Sequence, residues 1–200
     1  MGYFKDTVKG LSWMGGLRGS TRILAFVKIL ILARILSPSE FGLFGIAMLF
    51  LSLLEIISET GVNIFLIQED GDIDSFVDTA WLVSIVRGTL IFLILFLFSP
   101  LISQFFKSPN SLNLMYLISL APLIRGFINP QIVKFQKNLL FAKEFGFRFG
   151  MYFIDALVAI TVALITHSAL SLVYGLLAGA IFEVGASFFF IKPWPKFRFI

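Results

Sequence analysis

Cysteine is absent from the 200 residues, so disulfides, thiol catalysis and zinc–thiolate sites are excluded. Histidine occurs once, as His167, in a position that reads as a solvated span end. There is no P-loop, no HExxH and no Ser/His/Asp arrangement, so an enzyme reading has little to stand on. A secretory leader is a poor reading of the N-terminus, because its first apolar segment carries Arg18, Arg22 and Lys28 and no small-residue cleavage site follows.

Apolar residues are abundant instead: 58% of the chain is hydrophobic, phenylalanine alone occurs 25 times, and mean hydropathy is +0.94. A soluble domain of this size cannot bury so much apolar surface, so the surplus must face lipid. At about 20 apolar residues per helical span, six spans use most of the chain and leave no room for a soluble catalytic domain. The spans are expected at 11–36, 38–67, 79–103, 111–133, 148–167 and 170–191, as one all-α integral membrane lobe. The hinge between the first two is explicit. Ser37 can cap the second helix, Pro38 takes its first position, and Glu40 completes a capping-box pattern, making a tight turn between antiparallel helices.

Charge sets the expected orientation. With the N-terminus inside, Lys5, Lys9, Lys134, Lys137, Lys143, Arg148, Lys192, Lys196 and Arg198 fall at or near the cytoplasmic side, against Arg34 and Lys107 outside. That bias places the N-terminus and residue 200 in the cytoplasm. An acidic loop at 69–78 also falls inside, and Tyr3, Trp13, Trp81 and Trp194 lie near span ends, where amphipathic rings favour the interface.

Charges within the spans are the candidate functional residues: Arg18, Arg22 and Lys28, then Glu55 and Glu59, then Arg87, Arg125, Asp155 and Glu183. Such groups turn inward, to a cavity or to one another, since each is costly against lipid. Arg18 and Arg22 share a helix face, and Ser52, Glu55, Glu59 and Asn63 form a polar stripe at 3-4-4 spacing. Arg18, Glu59, Arg87, Asp155 and Glu183 each lie some eight residues from the cytoplasmic end of their span, a charged belt in that half of the bundle. The plainer alternative is that these charges only pair with each other or snorkel to the interface. The paired arginines argue for an anionic visitor, because a guanidinium fork binds two phosphate oxygens at once. Asp72-Ile-Asp74 matches the acidic pair with which glycosyltransferases hold a metal-bound nucleotide sugar, but no domain is present to bind the nucleotide. Gly15/Gly19 and Gly175/Gly179 are small-xxx-small pairs suited to close helix packing, and Pro122 and Pro130 are expected to interrupt or end the fourth span.

The segment GLSWMGGLRGSTRILAFVKI followed by LARILSPSEFGLFGIA resembles the start of the polysaccharide-transport flippases, the Wzx-type O-antigen and exopolysaccharide exporters of the MOP superfamily. ETGVNIFLIQED, the acidic loop, PQIVKFQKNLLFAKEF and the WPKFRF tail match in order. The resemblance implies a MATE-like bundle of two six-helix lobes, of which this chain would be the N-terminal one, its C-terminal lobe missing. It implies a non-enzymatic carrier without cofactor or metal in a bacterial or archaeal inner membrane, moving an undecaprenyl-diphosphate-linked oligosaccharide by alternating access. Membrane lipids, a glycan polymerase and other envelope-assembly proteins are its expected partners, and nucleic acid is not. Arg18 and Arg22 stand where cavity arginines of related flippases engage the lipid diphosphate, with Arg87 and Arg125 as further substrate contacts. Glu55, Glu59, Asp155 and Glu183 are then ion-coupling or structural carboxylates. A multidrug exporter of the same superfamily would instead call for an acidic cavity. A non-transporting scaffold in an envelope-synthesis complex would call for internal pairing of the charges.

Overall fold

The computed structural model describes the backbone of residues 2–68 and 74–196, and their side chains except those of residues 2–14, 17, 18, 63, 74 and 75. Among the described residues the chain is helical, without strands: α1 (Gly2–Ile35), α2 (Pro38–Ile57), α3 (Val62–Gln68), α4 (Asp74–Phe105), α5 (Ser111–Gly126), a 3-10 turn (Pro130–Val133), α6 (Lys134–Lys137), α7 (Phe141–Thr166) and α8 (Leu170–Phe190). By length and composition α2, Phe76–Phe105 of α4, α7 and α8 can each cross a membrane. A fifth crossing is available if α5 and the segment Pro130–Lys137, bent by 73°, count as one span. α1 is long enough but is not among these, and from its midpoint onward it carries Arg18, Arg22, Lys28 and Arg34.

The helix boundaries depart from the sequence expectation where polar or special backbone intervenes. The stretch 38–67 is two helices, not one. The Ser58 hydroxyl donates to Leu54 O at 2.6 Å, competing with the helix ladder at the end of α2, and Gly61, with a positive φ of 68°, turns the chain just before α3 begins. The polar stripe is therefore cut after Glu55, and Glu59 stands exposed in the break. α4 starts earlier than expected, at Asp74, and α7 also starts earlier, at Phe141. α5 runs through Pro122 and stops at Gly126. Its turn is held by Asn129, whose side chain accepts from Gln131 N at 3.0 Å and whose N–H donates to Ser187 Oγ at 3.1 Å. Trp81 is buried rather than interfacial, donating from Nε1 to Phe127 O at 3.1 Å.

The predicted hinge is present, with one change of partner. Ser37 Oγ accepts from Glu40 N at 3.4 Å, as an N-cap should. The Glu40 carboxylate does not reach back to close the capping box; it accepts from Ala169 N, at the start of α8. One acidic side chain thus ties the α1–α2 turn to the α7–α8 turn, and favours the N-terminal end of α8 electrostatically.

Packing uses small residues, as lipid-embedded helices do. Lys28 and Leu32 of α1, with Leu36 just past its end, and Asp155, Ala159 and Ala163 of α7 step up the two helices four residues at a time, so α1 lies parallel to α7. The main core, around Ala47, Leu51, Leu95, Met115, Ile118 and Val173, joins α2, α4, α5 and α8. Two backbone-close crossings flank it. At Gly175 a Cβ would fall 2.6 Å from Asp155 O, and at Gly88 one would fall 2.4 Å from Pro122 O. The Gly175/Gly179 pair therefore packs against α7, whereas Gly15 and Gly19 have nothing among the described residues within 4 Å of a would-be Cβ.

Candidate functional site

A polar cavity of about 370 Å³ lies at the end of the bundle shared by the carboxyl ends of α2 and α5 and the amino-terminal halves of α4 and α7. Glu55 of α2, Arg87 of α4, Arg125 of α5, Arg148 of α7 and Glu183 of α8 all line it. The Gly88–Gly126 crossing and the Pro130 turn form much of the remaining wall.

Each arginine is held differently. Arg87 donates from Nη2 to Glu55 O at 2.7 Å and from Nε to Ser58 Oγ at 3.2 Å. It therefore caps the last turn of α2, whose terminal carbonyls lack helical partners and carry the negative end of the dipole. Arg148 donates from Nε to Glu144 Oε1 at 3.1 Å, an i, i+4 pair on α7, and Gln136 donates to the same oxygen at 2.6 Å. Arg125 sits between two carboxylates from different helices, 3.7 Å from Glu55 and 3.8 Å from Glu183. Its Nε is buried without a hydrogen-bond partner. Three guanidiniums and two carboxylates line the cavity, and a third carboxylate, Glu144, stands just outside the lining as the partner of Arg148.

Arg87, Arg125, Glu55 and Glu183, scattered over four spans in the sequence, are brought together here. Asp155 is not: both its oxygens accept from Lys28 Nζ, at 2.7 and 2.8 Å, away from the cavity. Glu59 and Arg22 are exposed and do not line it. The side chain of Arg18 lies outside the described residues. So do Glu69, Asp70, Asp72, Arg198 and the side chains of Tyr3, Lys5, Lys9, Trp13, Asn63 and Asp74. Arg148 was legible only as a charge at a span end, because the expected span began on it; with α7 starting at Phe141, it lies two turns inside. Gly88 and Gly126 had no local signal, since each finds its partner on another helix.

A family described as polysaccharide biosynthesis protein matches residues 31–200, a stretch that includes every described cavity residue. This chain belongs to that family. The succinoglycan biosynthesis transport protein ExoT of Rhizobium meliloti (strain 1021) is 25% identical over 198 residues, covering 98% of this chain. The chain spans 40% of the length of that relative. No solved structure matches it.

Proposed function

We propose that the chain is the N-terminal lobe of a flippase for an undecaprenyl-diphosphate-linked oligosaccharide, acting without chemistry by alternating access. The observation that carries this reading is the convergence of Arg87, Arg125 and Arg148, from three helices, on one polar cavity of a largely apolar bundle. A diphosphate and its sugars cannot enter hydrocarbon uncompensated, so a carrier must offer counter-charge along a lined path. Guanidinium groups suit that task because they take phosphate oxygens in pairs. The printed name of the relative, a transport protein of succinoglycan biosynthesis, supports the same class.

In this reading six spans place the N-terminus and residue 200 in the cytoplasm, with the cavity opening on that side. A second six-helix lobe faces the first. Arg18 and Arg22 belong to the stretch of α1 where Gly15, Gly16 and Gly19 meet no neighbour among the described residues, and in this reading they supply further cations toward that lobe. A glycan polymerase works on the product.

The test uses the complete protein in cells. Arg125→Ala with Arg148→Ala should abolish surface glycan while membrane levels stay normal and the lipid-linked intermediate accumulates. Full export by that double variant would sink the role of the cavity. One observation favours a second reading, a non-transporting scaffold: Lys28–Asp155 and Arg125 with Glu55 and Glu183 pair internally. A scaffold should tolerate Arg125→Gln combined with Glu55→Gln and Glu183→Gln, whereas a flippase should not.

A further inference from the structure

We infer that Glu55 and Glu183 are internal counter-anions of Arg125, holding the place of an incoming anionic group that must displace them to bind. The inference rests on the reading of the cavity as an anion site, and adds how that site is kept closed when empty.

The argument starts from a contrast within one protein. Lys28 and Asp155 form a closed pair at 2.7 Å, and Arg148 and Glu144 meet at 3.1 Å. Those are the distances of charge-assisted hydrogen bonds. Arg125 approaches its two carboxylates only to 3.7 and 3.8 Å, outside hydrogen-bond range. A guanidinium placed to serve structure alone would close on one of them, as the other two cations do. Instead it is shared between α2 and α8, and its buried Nε is left unmade. A buried donor left without an acceptor is costly, because its lost hydration is not replaced. An acceptor from outside the chain that reached Nε would recover that cost.

The neighbours are already committed. Arg87 is engaged by the end of α2 and Arg148 by Glu144, so both are fixed in position, Arg87 by neutral acceptors and Arg148 by a carboxylate that already compensates its charge. Arg125 is the lining cation whose partners are loose enough to exchange. A visitor has to out-compete two carboxylates, which a singly charged ion such as chloride does poorly and a group with several negative charges does well. The counter-anions therefore select for charge number. Glu183, with 13% of its side chain exposed against 34% for Glu55, is the less screened and should be the stronger competitor.

The experiment is calorimetric titration of the complete protein in lipid nanodiscs with inorganic pyrophosphate, with chloride as the comparison ion. Glu183→Gln should bind pyrophosphate roughly tenfold tighter than the parent, and Glu55→Gln by a smaller factor, with chloride gaining on pyrophosphate in both. Arg125→Gln should lose most of the binding, and adding Glu183→Gln to it should restore none. If Glu183→Gln and Glu55→Gln bind no tighter than the parent while Arg125→Gln binds worse, the counter-anion role is overturned and the anion site stands. If Arg125→Gln binds like the parent, both fall. Should one carboxamide variant fail to fold, the other carries the same comparison.

Discussion

Lys28 of α1 and Asp155 of α7 form a bidentate ion pair across 127 residues of sequence, both side chains more than four-fifths shielded. The pair is built into a junction of three helices, because Gly175 of α8 presses on the Asp155 carbonyl and carboxylate alike. Breaking it from one side strands the other charge. Lys28→Gln alone or Asp155→Asn alone should cost on the order of 3 kcal/mol, and the double variant clearly less than the sum. Thermal unfolding of the complete protein in detergent checks this; simple additivity would mean that the two groups are not coupled.

The α4–α5 crossing should be intolerant of any side chain. A methyl at position 88 would meet the Pro122 carbonyl, a backbone atom with nowhere to go. Gly88→Ala should therefore destabilise by roughly 1–3 kcal/mol or more. Gly146→Ala, at an exposed position of α7 with nothing among the described residues within 4 Å, should be neutral or slightly stabilising, since alanine suits a helix better. Melting temperatures of the two variants side by side decide the matter, and equal shifts would contradict the crossing.

Glu40 should behave as a cap of α8 rather than of its own helix. Glu40→Ala should lower stability by roughly 0.5–2 kcal/mol, and Ser37→Ala by a similar or smaller amount. Hydrogen exchange locates the effect. Amides at the start of α8, beginning with Ala169, should lose protection in Glu40→Ala and keep it in Ser37→Ala.

Arg87 and Arg22 should separate when export and stability are measured together. Arg87→Ala removes the cap of α2 and should lower both. Arg22, exposed on α1, has no such structural duty, so Arg22→Ala should lose export with its melting temperature unchanged. An Arg22→Ala protein that exports normally would confine the cationic path to the cavity.

What could be read in the sequence was local chemistry. Ser37-Pro38 marks the hinge because a cap and a proline act within one turn, and the helix starts where they say. The break at Ser58–Gly61 leaves no mark in the hydropathy, because NIFLIQ keeps the apolar run going on its far side and a single left-handed glycine does not register there. The cavity was half legible. Arg87, Arg125, Glu55 and Glu183 announced themselves as charges in apolar surroundings, but which helices meet is a tertiary matter. Asp155 carried the same local signal and went elsewhere, because Lys28 stands at its level on a parallel helix.

The contact of Gly88 with the Pro122 carbonyl also bears on how such proteins can diverge. A relative with a larger residue at that position must hold the two helices further apart, and the walls of its pocket with them. Bore is set by bare backbone, and charge by side chains that stand on it. The two properties can then drift independently through a lineage, with one glycine recording the width.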